Sequence, residues 1–365
     1  MSNSSSNTLA LLIALGAGAM VGLSASSQKP KLPQLGGPRA SLDAAQPLPA
    51  VELALGSALV EAGGHLRENV NQVPLAIRNS LGFGPAGFSV KEDIDLPHEG
   101  YAVRLRGLTV ASGQVRVGKL LALGAHDDVA GEVVELPVGN RQGVWIDEQD
   151  AGQARLLGYD VLEPGFVLAL HVDTVLRRHL HELLTREEAY RLLDRAKQQA
   201  PRTIEELTTR LETGRIQKVL QALLREQVSL RDLPLVLELL SDAAAKNQEP
   251  EALIEEVRAG LARQLSAALA GDDDVLHVLP LGPRWEQLRN AQPGDAGVRD
   301  LVGQLRRQVD DAREHNLRPV LVAPRELRAA VRRMIERDLP DLPVLSEAEV
   351  DPAFKLQPIA ALTTV

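Results

Sequence analysis

Apolar positions along this chain change period several times. Leu66, Val70, Val73, Ile77 and Leu81 recur with the spacing of one helical face. Pro74 falls inside that run, so the spacing predicts either a helix beginning just before it or a kink. "YAVRLRGLTV" (101–110) and "GQVRVGKLLAL" (113–123) alternate apolar and polar residues, as half-buried strands do. "QGVWI" (142–146) predicts another short strand, and "RLLGYDVLEP" (155–164) a helix end leading into a strand.

From about Val172 to Leu269 the pattern becomes almost wholly helical. Ile216, Val219, Leu220, Leu223 and Leu224 form one stripe, and Val257, Leu261, Leu265 and Leu269 a second. The C-terminal part returns to mixed structure. "VLHVLPL", "PVLVAP" and "LPVLS" read as strands, separated by helical patterns in "VRDLVGQLRRQVDDAREHN" and "RELRAAVRRMIERDLP". This β-α-β-α-β order predicts a parallel sheet. No internal repeat is visible.

Two helical runs meet at "LLREQVSLRDL" (223–233). Ser229 is expected to cap the second helix, with Asp232 in the place of a capping-box acid. Val228 and Leu230 should bury the turn, leaving Arg231 free to reach a neighbouring carboxylate.

The N-terminus departs from this pattern. No charged side chain precedes Lys29, and Thr8–Ala25 is an 18-residue apolar window, within the roughly 17–25 residues that span a bilayer. Lys29, Lys31 and Arg39 follow, which predicts a membrane anchor with the remaining chain in the cytoplasm. The alternative is a cleaved signal peptide with "SAS" (24–26) as its small-residue site, although "MSNSSSN" lacks a basic n-region. Residues 26–49 are proline-rich and read as a tether.

Composition narrows the function classes. The 365 residues are 44% apolar but only 2% aromatic, so the core is built from aliphatic side chains and base-stacking anchors are scarce. A net charge of -9 argues against a nucleic-acid partner. The absence of cysteine removes disulfides, thiolate nucleophiles and cysteine-ligated metals.

Candidate motifs fail on their context. "GFGPAG" (82–87) matches a dinucleotide-binding pattern, but a helix precedes it where a strand is required, so Gly82 reads as a helix C-cap. "GQVRVGKL" matches a P-loop except at Leu120, where magnesium needs a hydroxyl. His171, His179 and His181 form the densest histidine group, but 171 and 179 are about 12 Å apart along a helix and lack an acidic partner at ligand spacing. They are expected to be solvated or capping residues. No metal, cofactor or catalytic constellation is predicted.

"RIQKVLQALLREQVSLRDLPLVLELLSDAA" (215–244) resembles the signature of the FHIPEP family, the export-gate subunit of flagellar and type III secretion systems. "VELALGSALV", "LAIRNSLGF", "GYDVLEP", "HELLTREEAYRLLDRAKQQAP" and "PVLVAPRELR" are similar to the family's cytoplasmic domain in the same order. The resemblance covers roughly residues 48–365. It implies an α+β multi-subdomain fold: an α/β subdomain (50–105 plus 155–180), a small α+β insertion (106–154), a helical subdomain (181–270) and a C-terminal α/β subdomain (271–365).

The resemblance further implies a non-enzymatic, ring-forming docking platform beneath a secretion pore. Thr8–Ala25 would correspond to the last helix of a multi-span membrane part whose preceding spans are not represented. The family's chaperone-docking dimple uses Asp-Pro-x-Phe-Gly before Trp-Ile, together with Thr-His-Leu. Mapped onto this sequence, the cleft comprises Leu136, Pro137, Gly139, Trp145, Leu170 and His171. Leu136 replaces the acid, Gly139 the aromatic ring and Leu170 the hydroxyl, so docking of chaperone–substrate complexes should be weakened. Ser229, Arg231 and Asp232 mark the helical corner. The expected partners are export chaperone–substrate complexes or other export-apparatus proteins, further copies of the chain in a ring, and the inner membrane; nucleic acid is not one. Alternatives are a degenerate paralogue serving another envelope assembly, or a periplasmic binding protein released from a signal peptide.

Topology separates these outcomes. A reporter active only in the periplasm, fused after Val365, should stay silent; activity, or a mature N-terminus near Ser27, would establish the signal peptide instead.

Overall fold

The computed structural model describes residues 49–124, 129–135, 142–271, 273–282, 284–285, 291, 295–315 and 317–359. The apolar segment Thr8–Ala25 and nearly all of the proline-rich tether lie outside them. Among the described residues no helix is long and apolar enough to cross a membrane.

The first sheet contains β1 (Val51–Leu55), β2 (Phe88–Glu92), β3 (Gly100–Leu105) and β4 (Leu108–Gln114) in the order β2-β1-β3-β4. β2 runs parallel to β1, while β3 and β4 are antiparallel to their neighbours. A short helix α1 (Ser57–Glu61) precedes α2 (Gly64–Leu81), which buries Leu66, Val70, Val73, Ile77 and Leu81, the five positions of the predicted stripe. Pro74 sits inside α2 rather than in its first turn. The proline removes one backbone hydrogen bond, at a cost of about 3 kcal/mol, but burial of five aliphatic side chains outweighs that loss.

The second sheet is antiparallel, with β5 (Lys119–Leu123), β6 (Glu132–Glu135), β7 (Gln142–Asp147) and β8 (Asp160–Leu162) in the order β6-β7-β5-β8. Helix α3 (Ala151–Leu156) covers one side. β4 joins the first sheet and β8 the second. "QVRV" is not a strand: β4 ends at Gln114, Val115 donates to Glu99 O, and Gly118 turns the chain with φ +77°. Those residues carry the backbone from one sheet to the next.

Seven helices follow: α4 (Pro164–Leu183), α5 (Arg186–Gln199), α6 (Pro201–Arg210), α7 (Thr213–Arg225), α8 (Leu233–Lys246), α9 (Pro250–Gly260) and α10 (Ala262–Leu269). The α7 stripe is wholly buried. The second predicted stripe spans α9 and α10, which break at Leu261. Prolines open α4, α6 and α9, where the missing N–H costs nothing.

The C-terminal unit alternates β9 (Val275–Pro280), α11 (Ala296–Glu314), β10 (Pro319–Ala323), α12 (Arg325–Ile335) and β11 (Val344–Ser346), as the pattern predicts. Its sheet is parallel, in the order β11-β10-β9-β12. β12 (Lys355–Pro358) had no sequence signal because all four of its residues are exposed, so no alternation marks it. Leu276, Val278, Val320 and Leu345 of this sheet join the main core shared by the preceding subdomains. Leu279, Leu321 and Val344 face a separate core with α11 and α12.

The corner between α7 and α8 differs from its expected capping pattern. Asp232, not Ser229, is the N-cap of α8 and accepts from Leu235 N at 3.3 Å. Ser229 instead reaches the end of α2: its hydroxyl donates to Ser80 O at 2.9 Å, and Leu230 N donates to Leu81 O at 2.8 Å. These bonds satisfy two carbonyls that the helix end leaves without intrahelical partners. Gly82 is left-handed, with φ +72°, and a Cβ there would lie 2.4 Å from Arg231 N. Val228 and Leu230 are buried as expected, whereas Arg231 is exposed and forms no ion pair among the described residues.

Ser229→Ala should therefore cost about 1 kcal/mol through the lost inter-element bond. Asp232→Ala should cost a similar amount through the lost cap, and Leu224→Ala about 2–5 kcal/mol. Chemical denaturation checks the ranking; equal small losses would contradict this packing.

Candidate docking site

Of the expected cleft residues, the described ones are Trp145 in the second sheet and Leu170 and His171 on α4. Trp145, central in β7, pairs with Leu121 on one side and Glu132 on the other. Strand alternation sends Trp145 and Leu121 toward the main core. Ile146 points to the opposite face and packs with Ala122, Ala154 and Tyr159 in a small core of the insertion. Trp145 is only 2% exposed. This is a correction to its role as a cleft contact: burial makes it scaffold.

His171 requires a similar correction. It is 2% exposed, not solvated or capping. Its Nδ1 lies 2.6 Å from the hydroxyl of Tyr101 on β3, with the rings edge to face at a centroid distance of 5.6 Å. Tyr101 pairs in register with Gly113 on β4, where a Cβ would lie 2.5 Å from the phenol oxygen. The glycine of the apparent P-loop thus makes room for this ring. Burial pushes the Tyr101 phenol well above its ordinary range and lowers the His171 imidazole to about 4, with Arg178 adding to the latter effect. Both groups are neutral near pH 7. With the phenol as donor, the imidazole proton resides on Nε2, which is buried without a hydrogen-bond partner among the described residues.

Leu170 is half-buried, and its carbonyl accepts from the Thr174 hydroxyl at 2.9 Å. That hydroxyl one turn further on is therefore committed to the backbone and cannot replace the one missing at 170. Leu136, Pro137 and Gly139 lie outside the described residues. Val133, three residues before Leu136 on edge strand β6, is 64% exposed.

The histidines do not converge. His179 lies 2.7 Å from Glu182, His171 is committed to Tyr101, and His181, also on α4, is partly buried. No group of three potential ligands occurs among the described residues.

Sequence reading missed Tyr101 and a buried charged network in which Arg258 donates to both oxygens of Glu349, at 2.8 and 2.9 Å. Arg258 directly follows Val257 of the second stripe. A charged residue beside a stripe normally reads as solvated, and its partner is 91 residues away.

Two sheeted subdomains, a helical block and a parallel C-terminal sheet make up a mixed, multi-part α+β fold. Residues 10–355 match the profile of the FHIPEP family, and the chain belongs to that family. The flagellar biosynthesis protein FlhA of Caulobacter vibrioides is 30% identical over 312 residues, covering 81% of this chain and 45% of that protein. Its Escherichia coli counterpart is 31% identical over 297 residues, covering 79% and 43% respectively. The chain spans a little under half the length of these relatives. Among solved structures, the Chlamydia pneumoniae CdsV and CdsO protein complex contains a chain with a TM-score of 0.74 at 20% identity, covering 87% of this chain and 99% of that one. The nonameric EscV cytosolic domain from the type III secretion system gives 0.70 at 19% identity, over 87% and 99%. At such identity the likeness is one of fold.

The depressed His171 value carries a sign. Below about pH 6.5 the unfolded chain binds a proton that the folded one refuses. The stability held by neutral His171 is therefore complete above 6.5 and disappears as pH falls through about 4. Between pH 7 and 5 the loss should be on the order of 2 kcal/mol. His171→Leu should flatten that slope while lowering stability at pH 7 through loss of the Tyr101 bond; thermal melts across the range check both.

Proposed function

We propose that this chain is a non-enzymatic docking and assembly module of a flagellar or type III-type export apparatus, anchored in the bacterial inner membrane through Thr8–Ala25 with residues 26–365 in the cytoplasm. The observation that carries this reading is the retention of an entire four-part fold, across 87% of this chain and 99% of the EscV cytosolic domain. Self-association into a ring is part of the proposal, and the nonameric EscV assembly supports it. The CdsV–CdsO complex supports partners drawn from the same apparatus.

The docking surface is proposed to be altered. Trp145 and His171 hold the scaffold beneath it, while Leu136, Gly139 and Leu170 stand where the family pattern has an acid, an aromatic ring and a hydroxyl. The leucines at 136 and 170 cannot pair with a charged chaperone helix, and Gly139, without a side chain, cannot anchor it by stacking. The leucines suit the apolar face of a different helix. This substitution pattern favours a second reading, a paralogue that keeps the fold and ring contacts but serves another envelope assembly.

Calorimetry with a flagellar chaperone–substrate complex is the test. The native protein should bind negligibly. Leu136→Asp, Gly139→Phe and Leu170→Thr together should raise the affinity. Tight binding by the native protein would overturn the altered-cleft reading.

A further inference from the structure

We propose that residues 225–232 form a mechanical node that couples the position of the C-terminal subdomain to the end of α2 in the first subdomain. The node includes none of the cleft residues, so it and the docking reading stand or fall separately.

Within eight residues the chain engages four other helices or their ends. Arg225 Nε donates to Glu336, which follows α12. Glu226 accepts from Arg328 of α12 at 2.6 and 3.2 Å, and pairs with Arg258 of α9 at 3.2 Å. Gln227 Nε2 donates to Arg177 O of α4 at 2.7 Å. Ser229 and Leu230 close the end of α2.

The node has little freedom to absorb displacement. Leu223, Leu224, Val228 and Leu230 are buried on both sides of the contacts. Gln227 holds a left-handed backbone, with φ +59°, a conformation that a residue with a Cβ adopts only when its surroundings impose it. Gly82 leaves no space against Leu230 and Arg231.

The arginines are equally constrained. Arg328 is almost fully buried and also donates to Glu255 at 2.8 Å. Arg258 bonds Glu349, and the Glu349 carboxylate accepts from Ser346 N at the end of β11. Burial pushes the Glu226 carboxyl up, but Arg258 and Arg328 outweigh it and hold the group below its ordinary value. Glu226 is thus ionised near pH 7 and is shared between two buried guanidinium groups.

Moving α12 away from α9 must break Glu226 from Arg328 or drag the corner with it. The corner cannot move without releasing the carbonyls of Ser80 and Leu81. Coupling of this kind is reciprocal: a change at either end must appear at the other.

Hydrogen–deuterium exchange on the full chain reads both directions. Glu226→Gln removes the charge at constant shape. It should accelerate exchange about tenfold at the Leu230 amide as well as in α12, leaving α5 unchanged. Ser229→Ala, at the opposite end, should accelerate exchange in α12, which it does not touch. Acceleration confined to α12 in Glu226→Gln, or an unchanged α12 in Ser229→Ala, would overturn the node. Far-UV circular dichroism identifies any global unfolding of Glu226→Gln, in which case the Ser229→Ala result decides.

Discussion

Backbone carbonyls at a helix end cannot stay unpaired where water is excluded, and in this protein the end of α2 meets that demand through another part of the chain. Ser80 and Leu81 are satisfied by Ser229 and Leu230, some 149 residues away for the first pair. Everything on either side must conform. Gly82 has to be left-handed and lack a side chain, α8 has to begin at Asp232, and the α7 stripe has to deliver Glu226 toward α12. An otherwise arbitrary connection between two helices thereby acquires fixed residues at Ser229 and Asp232, while nothing in the structure explains the side chain of Arg231.

The inserted subdomain shows a different economy. Adjacent residues Trp145 and Ile146 feed two separate cores, so β7 is the partition between the insertion and the rest of the molecule. With Trp145 and His171 both internal, the residues that identify the site divide into supports and surface. Supports answer to packing and cannot vary freely. Leu170, only half-buried, is less constrained by packing.

Legibility followed burial. The α2 and α7 stripes, the parallel C-terminal order and the Gly82 cap were readable because each expresses a local period or a local steric need. β12 was not, since an exposed edge strand carries no alternation. The sheet membership of β4 and β8 was not readable because strand partners are chosen across the chain rather than along it. His171 reads as solvated until Tyr101 is brought beside it, 70 residues apart in sequence. Ser229 has the residue type of a cap, but its hydroxyl found a partner that local spacing cannot reveal.

The edge position of β12 has a consequence for how the molecule avoids sticking to its own kind. β9 is central in the C-terminal sheet only because β12 lies alongside it. β12 carries Lys355 and ends in Pro358, whose ring leaves no donor for a further strand. Those four exposed residues act as a guard rail. A chain cut at Val350 would keep all three strands of the β-α-β-α-β unit and both its helices, yet it would present the bare flank of β9, a row of open donors and acceptors beside an aliphatic core. Such a truncation should be lost to aggregation before any failure of folding could be observed.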